Sequence, residues 1–189
     1  MIRMWLTLAA LVTCTVSPGA RSAEPTASLY QLEARLTTQD GLAVGLDLHR
    51  GHPVLVTMFY AGCQATCPVI IDTLRAVEHT LNADQRRDLR VLLVSIDPEH
   101  DTPEALAALA RERRIDTTRW TLARADEHTV RRIAAAVGQQ YRRLPSGQYS
   151  HATQISVLSP SGEIVAQSSK LGTPDEKLVA ALTAGRGAR

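Results

Sequence analysis

The stretch that most constrains this chain runs from Pro53 to Tyr60, PVLVTMFY, and ends three residues short of a cysteine. It is almost unbroken apolar sequence, rich in β-branched and bulky residues, and is too short for a typical buried helix. A strand covered on both faces by other elements has this pattern. Such a strand belongs inside a sheet with helices on either side, where ligands collect beyond the strand ends. Cys63 and Cys67 follow at that end, with Pro68 directly after, so the pair sits where a strand gives way to a helix.

The remaining elements read outward from this centre. Leu29 to Leu36 and Leu42 to Leu48 alternate around Gln39-Asp40-Gly41 and predict an N-terminal hairpin. Pro68 to Leu81 places Val69, Ile70, Leu74, Val77 and Leu81 at helical spacing, with the proline suited to the first turn. Leu89 to Ile96 is a second buried-type strand, followed by a loop, Asp97 to Asp101. Thr102 caps a helix opening at Pro103 and reaching about Arg114, with Glu104 where the dipole favours it. Trp120 to Leu122 is a short strand, and Asp126 to Val137 is a helix stopped by Gly138. Thr153 to Leu158 and Glu163 to Gln167 form a closing hairpin, and Pro174 to Ala184 a last helix. This order predicts an α/β fold of thioredoxin-like type: a central mixed sheet flanked by helices, with an N-terminal β-hairpin.

Composition narrows the function. With 21 basic and 19 acidic residues the formal net charge is +2, which gives no reason to expect a nucleic-acid partner. Aromatic residues are only 4% of the chain, too few for a base-stacking platform. Residues 1–23 have the pattern of an export signal: Arg3, an uncharged apolar run from Met4 to Val16, then Pro18-Gly19 and Ala20-Arg21-Ser22, which places cleavage near Ser22. The apolar run of about 13 residues is short of the ~20 that span a bilayer. Cys14, after Leu11-Val12-Thr13, leaves lipidation open, and an uncleaved anchor is the remaining alternative. Each version puts residues 24–189, read as one domain, outside the cytoplasm: in the periplasm or on the outer face of the cytoplasmic membrane.

Two cysteines four residues apart close too small a loop for a disulfide to add much stability. At a helix N-terminus they have another use, because the partial positive charge there favours thiolate. Thiolates attack disulfides and bind soft metals, Cu(I) foremost and zinc as an alternative. A third ligand would sharpen the choice of metal, and six histidines are available. His49 and His52 read as solvated turn residues, His79 as a residue near a helix C-terminus, and His100 and His128 as polar surface. His151 differs, since it precedes the strand whose start approaches the cysteine loop in this fold order.

These residues also resemble the Sco/SenC family of thioredoxin-like copper proteins, over nearly all of the expected mature chain, from about Leu36 to Ala184. The likeness rests on Gly62-Cys63 with Cys67-Pro68, on the run Val94 to Glu104 (VSIDPEHDTPE), on Trp120 with the following helix and Gly138, and on His151 ahead of Ser159-Pro160-Ser161-Gly162-Glu163. The resemblance implies copper ligation by Cys63, Cys67 and His151, and a supporting place near the site for Asp97. It also implies delivery of copper to the dinuclear copper centre of cytochrome c oxidase, with a second copper chaperone as a donor. Reduction of the oxidase subunit's cysteines, or those of another copper protein, is the alternative, and would make Cys63 and Cys67 a redox-active dithiol. The chain departs from the family pattern at Gln64, where Pro is frequent, at Ser150, where Asp is usual, and at Ala152, where a hydroxyl residue is usual. A general thioredoxin would use C-x-x-C and a proline before the late strand; neither is present. A peroxidase of this fold class would need only one thiol.

Overall fold

A computed structural model describes residues 28–184, so the expected export signal and Cys14 lie outside the described residues. The chain alternates strands and helices as β1 (Arg35–Thr38), β2 (Ala43–Gly45), β3 (Val54–Phe59), α1 (Thr66–Thr80), α2 (Ala83–Asp88), β4 (Arg90–Ser95), α3 (Pro103–Glu112), β5 (Trp120–Arg124), α4 (Glu127–Ala136), β6 (Tyr141–Arg143), β7 (Tyr149–His151), β8 (Ile155–Leu158), β9 (Ile164–Ser168) and α5 (Glu176–Ala184). Seven of these strands make one sheet in the order β2-β1-β5-β4-β3-β8-β9, while β6 and β7 form a separate pair.

All six residues of β3 are buried, because the strand lies near the middle of the sheet between β4 and β8. It runs parallel to β4 and antiparallel to β8, and β4 runs parallel to β5. The sheet is therefore mixed, with the N-terminal hairpin β1–β2 added antiparallel to β5. Helices flank it: α3 packs on β5 and β1, and α5 packs on β8, β9 and α1. The side chains of Leu55, Met58, Phe59, Ile70, Leu74 and Leu93 meet in one continuous core. Each fully buried side chain of this size contributes about 2 kcal/mol through loss of apolar surface to water.

Local chemistry sets the boundaries. The Thr102 hydroxyl accepts the Ala105 N–H and Pro103 opens α3, while Asp126 caps α4 through the Thr129 N–H. Gly138 takes φ +70° just after α4, a conformation that glycine adopts without strain.

The structure departs from the sequence expectation in four places. Leu29 to Leu36 is not one strand: Leu29–Gln31 is a 3₁₀ turn capped by Ser28, and the strand starts at Arg35. The Leu29 N–H donates to the Gly162 carbonyl, so this segment is spent on the β8–β9 turn. The short helix α2 was not expected; Asn82 and Gln85 build it with a reciprocal capping box. The strand before the closing turn begins at Ile155 rather than Thr153. The pair β6–β7 occupies a stretch to which the sequence pattern assigns no element.

The first and last described residues share one end of the molecule. The Ser28 hydroxyl donates to the Ser161 carbonyl in the β8–β9 turn. Ala184 lines a cavity of about 390 Å³ with Pro53, Leu81, Leu158 and Pro160. This is the end at which β3 begins, opposite the cysteines.

Candidate metal centre

The cysteines occupy the corner where β3 ends. The Phe59 carbonyl still accepts the Ile96 N–H at 2.8 Å, and the chain then turns, with the Cys63 N–H donating to the Tyr60 carbonyl at 3.2 Å. Asp101 holds the outside of this turn, accepting the Ala61 N–H at 3.0 and 3.2 Å through its two oxygens and a hydrogen bond from the Ser95 hydroxyl. α1 starts without a side-chain cap at Ala65. Instead the Cys63 sulfur accepts the Cys67 N–H at 3.3 Å and takes up one of the free donors of the first turn. Both cysteines are free thiols, and both are buried.

Their electrostatics differ. Burial pushes the Cys63 thiol up, but hydrogen bonds from Cys67 and from the backbone of Thr66 and Ala65 outweigh it and hold this thiol below its usual range. Burial pushes Cys67 up, and the negative charges of Cys63 and Asp101 add to that. The reduced pair therefore favours one thiolate on Cys63 beside one protonated thiol on Cys67.

His151 arrives on a different element. It is the last residue of β7 and pairs across with Tyr141 in β6. The Leu144 N–H donates to the Gln148 carbonyl and closes the connection, with Gly147 at φ +82°. The Ala152 N–H donates to the Gln140 carbonyl at 3.0 Å and extends the hairpin, and Arg143 ties it to Glu99 at 2.9 Å. Aromatic contacts add to this: the Tyr60 ring meets Tyr149 edge-on at 5.4 Å and His151 at 6.1 Å. His151 is half-buried, and burial holds its imidazole below the usual range, partly offset by the backbone of Ala152. Its Nδ1 is buried and has no hydrogen-bond partner among the described residues.

Cys63, Cys67 and His151 converge. One ligand atom from each lies within 4.8 Å of the other two. Two sulfurs and an imidazole nitrogen at this spacing suit a soft or borderline metal ion, and the imidazole is in a form able to donate a lone pair.

The other candidates are not among the three converging ligands. Asp97 is buried, but its carboxylate accepts His100 Nδ1 at 2.9 Å. Asp101, which the sequence reading passed over, is the carboxylate that binds the cysteine turn. Asp97, Glu99 and His100 also form a cluster with metal-ligand spacing. His79 and His128 are exposed. His49 and His52 are half-buried, not the solvated turn residues expected. His49 Nε2 lies 3.1 Å from the Thr121 hydroxyl, and burial, with the charges of Arg90 and His52, lowers its pKa to about 4. His52 pairs with Asp88 at 2.7 Å. Tyr60 was likewise read only as the end of a strand; nothing in its sequence position signals that its ring meets His151. Among the described residues no helix is long and apolar enough to cross a membrane.

Comparisons with known proteins bear on the fold and the family. The chain is similar to a curated SCO1 protein homolog of Bacillus subtilis (strain 168), 24% identical over 140 residues that make up 72% of each chain. Among solved structures it resembles Bradyrhizobium japonicum ScoI with copper bound, with a TM-score of 0.65 and 21% identity over 80% of this chain and 96% of that one. It also resembles BsSco, described as a member of the Sco family of cytochrome c oxidase assembly proteins with a disulfide switch. There the TM-score is 0.70 and the identity 18%, over 88% of this chain and 98% of that one. These two likenesses concern the fold. The family model described as SCO1/SenC matches residues 22–184, nearly the whole chain, and the chain belongs to that family.

Proposed function

We propose that the chain binds copper through Cys63, Cys67 and His151 and delivers it to the dinuclear copper centre of cytochrome c oxidase. The convergence of the three ligand atoms within 4.8 Å carries the reading. Two thiolates select Cu(I), and the added imidazole extends the set to Cu(II). The buried, unpartnered Nδ1 of His151 fits a side chain whose role is ligation or orientation toward a ligand. Copper in the ScoI structure and oxidase assembly in the description of BsSco support the same assignment. The recipient would be the copper-bearing oxidase subunit or another copper protein, and a second copper chaperone would act as donor. The apolar start of the chain and the family membership support a place outside the cytoplasm, in the periplasm or on the outer face of the cytoplasmic membrane.

A second reading rests on the unequal thiols. With thiolate favoured on Cys63, that sulfur can attack a partner's disulfide, forming a mixed disulfide and releasing one partner thiolate. Cys67 then gives up its proton and attacks the Cys63 sulfur, closing the Cys63–Cys67 disulfide and releasing the second partner thiol. Two electrons pass from this chain to the partner. The two readings are compatible, because only the reduced dithiol holds Cu(I).

The test is copper binding by the reduced protein, wild type beside His151→Ala, by metal analysis and visible absorption. One copper per chain with a thiolate charge-transfer band, lost or shifted in His151→Ala, supports delivery. Cys63→Ser or Cys67→Ser should abolish copper binding. A reduced wild-type protein that retains no copper overturns the copper reading and leaves the thiol reductant.

A further inference from the structure

Two buried polar atoms on the hairpin and its root have no hydrogen-bond partner among the described residues, and their needs are complementary. One is Nδ1 of His151; the other is the amide oxygen of Gln139. Gln139 lies just past α4 and is 4% exposed, and its amide nitrogen donates to the Met58 carbonyl at 3.4 Å. That bond fixes which way the amide faces, because the turned-over amide would set oxygen against oxygen. Oε1 is therefore a buried acceptor in want of a donor, and leaving it so costs about 1–3 kcal/mol. The two residues share one face of one ladder. Tyr141 pairs with His151, and the Ala152 N–H to the Gln140 carbonyl carries the pairing one step further, which sets Gln139 opposite Thr153. Side chains alternate along a strand. Gln139, Tyr141, Tyr149, His151 and Thr153 are accordingly buried or half-buried, while Gln140, Arg142, Ser150 and Ala152 are exposed on the other face. Gln139 is thus the diagonal neighbour of His151, and such neighbours lie about 7–8 Å apart, within reach of long side chains. Ser150 is on the wrong face to serve, and Ala152 has no polar side-chain atom.

We propose that Gln139 is a positioning residue for His151: its amide oxygen takes the Nδ1–H, directly or through one buried water, and holds the imidazole in the tautomer that leaves the Nε2 lone pair for a metal. This rests on the copper reading above. A neutral imidazole carries its proton on one nitrogen only, and the hydrogen bond made by one nitrogen decides what the other can do. An acceptor behind a ligating histidine fixes the ring and makes it a better donor. A bridging water serves nearly as well as a direct bond. An amide oxygen does this without adding a negative charge beside two sulfurs. The third ligand is then already aimed when metal arrives, so less order has to be imposed on binding.

The first readout needs no metal. The reduced, metal-free full-length protein is held at about pH 8, where an ordinary imidazole is neutral. Long-range proton–nitrogen NMR then shows which nitrogen of His151 carries the proton, with His151→Gln identifying the signals. The wild type should carry it on Nδ1. Gln139→Leu should lose that preference, and Gln139→Glu, which supplies an acceptor again, should keep it. The same three proteins are then titrated with Cu(I) and Cu(II). Gln139→Leu should bind Cu(II) about tenfold more weakly, the size expected when a group that orients a ligand is removed. Cu(I), held by the two sulfurs, should change less. A wild type with its proton on Nε2 overturns the proposal without recourse to any variant. A Gln139→Leu protein with the wild-type tautomer overturns it too, and assigns the choice of tautomer to the backbone. Either result leaves the copper reading standing. If the wild type retains no copper, the copper reading fails and takes the role proposed for Gln139 with it.

Discussion

Asp101, at the foot of α3, accepts the Ala61 N–H through both carboxylate oxygens, at 3.0 and 3.2 Å, and so pins the turn that presents Cys63. The same carboxylate takes the Ser95 hydroxyl, whose oxygen in turn accepts the Asp97 N–H at 2.9 Å. One buried side chain therefore joins the end of β4, the approach to α3 and the cysteine corner. Asp101→Ala would leave two buried donors without an acceptor, at a cost of about 2–3 kcal/mol. Asp101→Asn keeps an acceptor for Ala61 and should lose less. Thermal unfolding of both variants checks this; an alanine variant that melts with the wild type would show that the carboxylate does not hold the turn.

A second buried carboxylate binds the opposite end of α1. Glu78 accepts Arg119 Nη1 at 2.7 Å and Trp120 Nε1 at 3.1 Å, tying that helix to the start of β5. Glu78→Ala leaves the Trp120 indole N–H without its acceptor and takes one of two carboxylates from Arg119, which keeps Asp116 and the Arg86 carbonyl, and should destabilise by about 2 kcal/mol. Glu78→Gln retains an acceptor for the indole and should fall between the two. Chemical denaturation with the midpoints compared reads the difference. Equal midpoints for Glu78→Ala and wild type would contradict it.

The pair Asp97–His100 has a defined pH signature. The hydrogen bond from His100 to the Asp97 carboxylate, with its charge, holds the imidazole pKa above the ordinary 6.5. The folded protein therefore binds this proton more tightly than the unfolded chain. The contribution to stability is complete below the ordinary value and is lost as pH rises through the folded one. His100→Gln should lower the unfolding midpoint more at about pH 6 than at about pH 8. A penalty that grew with pH would reverse the sign and exclude the pairing.

The two thiols should also react unequally. Thiolate on Cys63 and a protonated Cys67 mean that limited alkylation of the reduced protein with iodoacetamide near pH 7 labels Cys63 first. Peptide mass spectrometry assigns the label. Equal labelling, or Cys67 first, would remove the asymmetry on which the disulfide-exchange reading depends.

The sheet was legible in the sequence because its central strands are buried on both faces, and an apolar run such as Val54 to Phe59 fits little else. The caps at Thr102 and Asp126 were legible because a side-chain oxygen before a helix is a local signal. The hairpin β6–β7 was not. Tyr141-Arg142-Arg143 shows neither alternation nor strong strand preference, and its order comes from Tyr149 and His151 packing on Tyr60, some 80–90 residues earlier in the chain. For the same reason the cysteine pair and His151 could be named as candidates from spacing and residue type, while Tyr60 and Asp101 could not. What they do depends on long-range contacts. His49 illustrates the opposite error: beside Gly51 it read as solvated, yet it folds back onto Thr121.

That Ser28 and Ala184 lie together at the end where β3 begins has a practical reading for anyone immobilising this protein. The six residues of β3 separate that end from the cysteine corner by about 20 Å. An electrode, resin or sensor chip coupled at the surface beside Ser28 and Ala184 would hold every molecule in the same attitude, with the Cys63 turn facing the solution. Docking partners could then be measured on an oriented layer without a linker passing in front of the site.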